Sequence, residues 1–457
     1  MPKCTDHPLD VPILEKEIGG GGIRVHGLLL CLAGASTIVA SSASAYLIFR
    51  HASNYTNPKQ QKLIIRILLM VPIYSIACTL SIEFYKENVY LGSIYEFYES
   101  LVIASFFLLL CQYLHPDLTM LRRVFQVVDP KPWIHPIRFF VTHVGRNKKS
   151  QTVDGLRRFN IIWFGVFQFC IVKFLGALTK CITEALDVYC EESKSAGHAK
   201  IWVMIIEILS LVTAMLCLFQ FYNQTNHVIS HHRPMLKFVA IKLVVFLFYL
   251  QTFIFDFLTR KDGPIEPSAT ISYPSWAVGI PNTLLCLEMA AVSVLHFWAF
   301  PYDVYKKGPS SKKTSNNNQD DALDIDQDYT ITRISAMQNC EPLYQRPDSD
   351  NLTEDGIWNG PASAHRHTEP IGSHTRGSRW QALVDTLNFI DIFWAVAGAS
   401  RWLVGKRREG SAASDAGGEA HLGYHSEVDL AGQSRRYDFP EALIIVEGQA
   451  FRDVSRR

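Results

Sequence analysis

The chain carries almost no net charge and almost none of the motifs that announce chemistry. Lys plus Arg number 44 and Asp plus Glu 43, a formal charge of +1 over 457 residues. No global basic field points to nucleic acid. No CxxC pair occurs among the ten cysteines, so there is no paired-thiol motif. No GxGxxG or GxxxxGK[ST] opens a phosphate site, and no HExxH or GxSxG falls within an apolar run. The adjacent His231 and His232 make a weak metal signal, and His296 stands alone. Nothing sets a nucleophile beside a base, so the chain is expected not to be an enzyme and to need no cofactor. The start, "MPKCTDHPLDVPILEKEIGGGG", lacks the basic-then-apolar order of a cleavable signal. The first apolar run is therefore expected to stay in the mature protein.

What is present is hydrophobicity in blocks. Hydrophobic residues make up 48% of the chain, crowded between Gly27 and Phe300, whereas Pro301 to Arg457 is mostly polar. Seven runs of about 20 residues have the length that a bilayer core requires: 27–49, 63–82, 94–114, 160–182, 201–221, 238–257 and 276–300. The fold class predicted is an all-α membrane protein, a seven-helix bundle over 27–305, preceded by a short segment at 1–26. Cys31, Cys78, Cys111, Cys170, Cys181, Cys217 and Cys286 fall inside the runs and read as small hydrophobes.

Basic residues in the short loops set a direction. Loop 115–159 carries nine Lys or Arg against three acids, and loop 50–62 carries Arg50, Lys59 and Lys62. The alternate loops are poorer. This pattern places the N-terminus outside or in a lumen and the C-terminal tail in the cytosol. The sequons at Asn54, Asn223 and Asn351 then fall on the inner side and are expected to stay unmodified. Loop 115–159 mixes Trp133, Ile137, Phe139 and Phe140 with basic residues, as does a segment lying on the inner leaflet.

The tail, 306–457, opens "KKGPSSKKTSNNNQDDALDIDQD" and is expected to be mostly disordered. One island, near 379–405, has Trp380, Leu383, Val384, Leu387, Ile390 and Trp394 at helical spacing with basic ends. Asp385 and Asp391 argue against a spanning helix. A helix on the inner leaflet, docked beneath the bundle, or binding a partner is expected.

Ionisable groups at bilayer depth cost several kcal/mol unless partnered or wetted, so each is a functional candidate. Glu96 and Glu99 lie within roughly 8 Å of the outer edge of span three, at 1.5 Å per residue. Lys173 lies past the middle of span four, Glu207 in the outer half of span five, and Glu288 near the middle of span seven. Lys242 and Arg66 are expected to snorkel to the inner headgroups. Asp256 and Glu96 also fit wetting at the outer interface. Lys173, Glu99 and Glu288 fit either a structural ion pair or a polar cavity that meets a ligand. Gln168, Gln251 and Asn282 add neutral donors to that space or bridge helices. Pro72 and Pro281 are expected to kink spans two and seven.

A G-protein-coupled receptor would share seven spans and an outside N-terminus. Its DRY-like triplet, NPxxY motif and disulfide from span three are missing: "HPDLT" and "AFPYDVY" stand in their place, and Cys111 is at the wrong end. A receptor or scaffold acting through the tail is the alternative reading. The strings "NYTNPKQQKLIIRILLMVPIY" (54–74), "FYESLVI" (97–103), "LRRFNIIWFGVFQFCIVK" (156–173), "FQFYNQT" (219–225), "RPMLKFVAIKLVVFLFYLQ" (233–251) and "NTLLCLEMAAVSVLHFWAFPYDVY" (282–305) carry a different resemblance. In order and spacing they resemble the organic solute transporter subunit alpha family, and the length of the tail resembles a fungal-type member. The resemblance implies a seven-span protein that facilitates transport of amphipathic organic anions such as steroids. The implied partners are membrane lipids, the solute, and a small single-span subunit or a second copy of the chain. An endomembrane, vacuolar or plasma-membrane location is implied as well. It carries over to Arg66, Pro72, Tyr74, Tyr98, Glu99, Gln168, Lys173, Lys237, Lys242, Gln251, Cys286 and Glu288, and less strictly to Glu96. Glu207 falls where relatives often carry another residue, Pro281 replaces a common Gln, and the cysteine run of some relatives between spans three and four is absent.

Overall fold

The structure is a computed structural model. It describes residues 13, 15–17, 24–128, 131–133, 155–189, 197–258, 268, 270–306 and 379–399, apart from the side chains of 244, 245, 248, 249, 252, 256 and 257. Among these the chain is all-α: α1 Val25–Ser53, α2 Pro58–Leu68, α3 Met70–Glu83, α4 Asn88–Leu114, α5 Leu118–Val127, α6 Gly155–Ala185, α7 Ala199–Ile229, α8 Pro234–Leu258, α9 Ile280–Ala299 and α10 Arg379–Leu387. Helix resumes at 390–399 after a break at Asn388 and Phe389. Six of the seven predicted spans are helices long and apolar enough to cross a membrane, and α8, with 25 residues, is the other. The expected disorder of the rest of the tail, the loop residues Ile137, Phe139 and Phe140, and the side chain of Asp256 lie outside the described residues.

Most spans run past their predicted edges. A bilayer core sets only the apolar length, and the helical hydrogen-bond ladder continues into the headgroup region. The outward positions of α1, α7 and α8, among them Ile38, Leu209 and Phe253, are exposed and apolar, as lipid-facing surface requires.

The second span is broken at Leu69 into α2 and α3. Pro72 explains the break: it has no N–H for the carbonyl of Leu68, and its ring crowds that carbonyl. Pro281 follows a π-helical turn, Ser275–Gly279, that feeds α9. The break beside Pro72 fits the expectation for span two; Pro281 stands in the first turn of α9, where a missing N–H is tolerated, and what the structure shows there is the π-helical turn before it rather than a kink at the proline.

The two ends of the bundle are closed differently. At one, Glu15 is buried before α1. Its carboxylate accepts from the His26 backbone N–H at 2.8 Å, the Ser272 backbone N–H at 3.0 Å, and the hydroxyls of Ser272 and Ser275 at 2.9 and 2.6 Å. Burial pushes this carboxyl up, and the four hydrogen bonds outweigh that and hold it below the ordinary glutamate range. At the other end, Gln61 of α2 donates to the carbonyls of His51 and Asn54 at 3.1 and 2.7 Å. Asn54 itself donates back to the Arg50 carbonyl at 2.9 Å, closing α1. These are called the Glu15 end and the Asn54 end below.

Between them, α1, α3 and α9 pack as one group and α4, α6 and α7 as another, with α4 also against α2 and α3. Thr37, Ser75, Thr79 and Cys286 form a small polar knot in the first group. In the second, Phe107 meets Trp163, Phe167 and Phe221 edge-on, with centroids 5.0 to 5.9 Å apart. Lipid tails are as apolar as these rings, so packing and ring geometry rather than water exclusion favour the contact, each pair by about 0.5–1.5 kcal/mol.

Candidate functional site

Lys173 and Lys180 stand two turns apart on α6 and share a face. Both reach the same two carboxylates. The Lys173 ammonium donates to Glu96 Oε2 at 2.9 Å and Glu207 Oε2 at 2.8 Å. The Lys180 ammonium donates to those oxygens at 2.5 and 3.3 Å. Two cations thus share two anions, one from α4 and one from α7, and the quartet is neutral. Its exposure is graded: the Lys173 side chain is 1% exposed and that of Glu96 19%. The open side is therefore the Glu96 side. Glu207 Oε1 is buried without a hydrogen-bond partner.

Gly176 lies between the two lysines, where a Cβ would stand 2.3 Å from Glu207 Oε1. The missing side chain lets the carboxylate cross to α6. Gly165, three turns away on the same helix, does the same for Cys217, whose sulfur lies 2.3 Å from the point a Cβ would occupy. The helices α6 and α7 therefore meet closely at two points.

Glu99, one turn along α4 from Glu96, pairs with Lys242 of α8 at 3.3 Å. The expectation that Lys242 snorkels to headgroups is corrected. Its ammonium turns inward because the Glu99 side chain, 2% exposed, lacks another cation among the described ion pairs. Glu96 and Glu99 lie three residues apart on α4 and share a face, so pair and quartet are neighbours. Arg66 does not snorkel either: its side chain is buried and ion-paired with Asp391 of the tail at 2.9 Å.

Glu288 of α9 accepts from the Gln251 side chain of α8 through Oε1. Its Oε2 is buried with no partner. Gln168 and Ser210 exchange bonds across α6 and α7: the Gln168 amide donates to the Ser210 carbonyl at 2.9 Å, and the Ser210 hydroxyl donates to Gln168 Oε1 at 2.7 Å. Asn282 donates back along its own helix to the Val278 carbonyl at 2.9 Å. Of the seven candidates, the structure therefore joins Glu96 to Lys173, sets Glu99 beside them through Lys242, and bonds Glu288 to Gln251. Gln168 bridges two helices and Asn282 bonds within one.

Lys180 was not among the candidates, although its seven-residue spacing from Lys173 is readable as one helical face. Two clefts of about 10 Å³ each, space for one water, occur among the described residues. One lies among Phe125, Arg158 and Gln224 and the other among Phe106, Phe219 and Phe238; neither touches the quartet. No cluster of His, Cys, Asp and Glu among the described residues has the makings of a metal site.

The comparisons with known proteins fit a membrane bundle of this kind. Protein LAZ1 of Arabidopsis thaliana is 29% identical over 285 residues, which is 60% of this chain and 58% of that protein. The match thus spans less than two thirds of the relative's length. No solved structure matches the chain. The family described as organic solute transporter Ostalpha matches residues 29–305, more than half of the chain and all seven predicted spans but the first residues of span one, and the protein belongs to that family.

Proposed function

We propose that this multi-pass membrane protein is a facilitative carrier, or a lipid-handling protein, for amphipathic organic solutes, with steroid-like and other organic anions as the substrate class. The observation that carries this reading is the neutral quartet at Lys173, Lys180, Glu96 and Glu207. An anionic head arriving on the Glu96 side takes over hydrogen bonds from Lys180, whose bond to Glu207 is the longest of the four. The apolar helix faces around it hold the hydrocarbon body. Glu99 with Lys242, and Glu288 with Gln251, flank the route. The N-terminus faces outside or a lumen in this reading, and a small single-span subunit or a second copy completes the assembly.

The test is flux of labelled steroid-type anions into vesicles holding purified protein. Lys173→Ala and Glu288→Gln are each expected to cut flux at least tenfold at matched protein level. Unchanged flux in both ends the site assignment. Absence of any flux in the unaltered protein, over a panel of amphipathic anions, ends the carrier reading.

A further inference from the structure

Arg66 lies eight residues into α2, about 12 Å from the Asn54 end, and is 1% exposed. The tail takes up its whole guanidinium fork. Nε donates to the Thr386 carbonyl at 2.8 Å. Nη1 and Nη2 grip the two oxygens of Asp391 at 3.0 and 2.9 Å, and Nη2 also donates to the Asn388 carbonyl at 2.5 Å. Lys62, one turn earlier, adds a second cation to Asp391 at 3.0 Å. The helix break at 388–389 frees the carbonyls that the guanidinium binds, and the ring of Phe389 lies 4.8 Å from it. This bidentate, charge-assisted geometry is the strong form of the interaction.

Other contacts fix the direction of the segment. Arg379 stacks on Phe49 at 4.8 Å. Tyr55 donates to Asp385 at 3.3 Å, and Trp163 of α6 donates to the Ala395 carbonyl at 3.1 Å. Phe49, Tyr55, Lys62, Arg66 and Trp163 all fall within about 12 Å of the Asn54 end, at 1.5 Å per residue. A helix of 21 residues that crossed the bilayer would travel about 30 Å. Residues 379–399 therefore lie across the bundle rather than along it, although they are apolar and long enough to span.

The faces of the segment are reversed relative to a helix docked on a soluble domain. Mostly small residues turn in: Ala382, Thr386, Ala395 and Ala399 are buried, with Ile392 the one large apolar side chain buried beside them. Large apolar ones turn out, with Trp380 77% and Phe393 67% exposed, and Leu387, Ile390 and Trp394 beside them. That outer face continues the lipid-facing surface, since Phe49 beneath Arg379 is itself an exposed residue at the end of a spanning helix. In the sequence, Arg376 precedes the segment, Arg379 opens it, and Arg401, Lys406, Arg407 and Arg408 follow it, a charge pattern complementary to anionic headgroups. Tryptophans near both ends suit the headgroup level.

We propose that residues 379–399 are a membrane-surface strap. Arg66 is its receptor on the bundle, anionic lipid is the partner of its outer face, and it ties α2 to α6 at the Asn54 end. This stands apart from the transport reading, because neither readout below uses flux. The full chain is reconstituted in phosphatidylcholine vesicles with and without phosphatidylserine bearing a photoactivatable group. Crosslinked peptides are expected to include 380–394 as well as α1. Label on α1 with none on the tail segment overturns the lipid assignment, as do crosslinks made in a separate sample with a protein–protein crosslinking reagent that join two copies of the chain through 380–394. In parallel, hydrogen exchange across 379–399 is expected to rise about tenfold in Asp391→Ala, as for loss of a strong charged pair. Asp391→Glu, which keeps the charge, is expected to restore most of the protection. Equal exchange in the unaltered protein and Asp391→Ala overturns the role of Arg66.

Discussion

At the scale of single residues, α6 shows how much depends on a side chain that is not there. Gly176→Ala sets a methyl 2.3 Å from Glu207 Oε1, the free end of a flexible side chain, so the carboxylate must turn and its bonds to the two lysines through Oε2 weaken. Weakening one buried charged hydrogen bond costs about 1–3 kcal/mol, so a modest fall in thermal midpoint is expected for detergent-purified protein. Gly34→Ala is the control: nothing lies within 4 Å of its Cβ position. That change is expected to leave the midpoint unchanged or raise it, because alanine suits a helix better by up to about 1 kcal/mol. The acids and Lys173 were legible in the sequence, since a charge in an apolar run stands out. Their pairing was not. Which carboxylate meets Lys173 depends on helix rotation and on the gap at Gly176, and neither is local to the chain. Lys180 escaped notice because it sits near the end of its run, where a lysine resembles an ordinary interfacial residue.

Whole helices were the most legible part, because the apolar length of a span is a property of its own residues. Their ends were less so, since capping comes from remote segments. Glu15 is the clearest case: ten residues before α1 it reads as one more acid, yet it closes α1 and the turn before α9. Its carboxyl is held below the ordinary range, so its contribution is present above about pH 4.3 and is lost as pH falls through the lowered native value. Glu15→Gln is expected to lower stability at neutral pH by about 1–3 kcal/mol and to flatten the acid limb of a stability–pH curve. The tail helix is expected near 379–405, and helix occupies 379–387 and 390–399 among the described residues. The break at its centre answers to Arg66, some 320 residues earlier, and no local pattern foretells it.

For the molecule as a whole, the polar tail and the apolar bundle share a structural element. Truncation after residue 399 keeps the segment held by Arg66, whereas truncation after 309 removes it and leaves a buried guanidinium without its carboxylate. The longer product is expected to melt within about 1 kcal/mol of the full chain, and the shorter one to lose about 3–5 kcal/mol, read as thermal midpoints in one detergent. A carrier keeps its flux after loss of 400–457, and a protein that signals through its tail loses its cellular phenotype. The same α6 rod that carries Trp163 at one end carries Lys180 17 residues on, about 25 Å away at 1.5 Å per residue, with the Gly165–Cys217 contact between them. Held against α7 at both Gly165 and Gly176, α6 has no single fulcrum: tilting it away from its neighbour opens one seam or the other, so the tail contact at Trp163 and the charges at Lys173 and Lys180 ride on one rod.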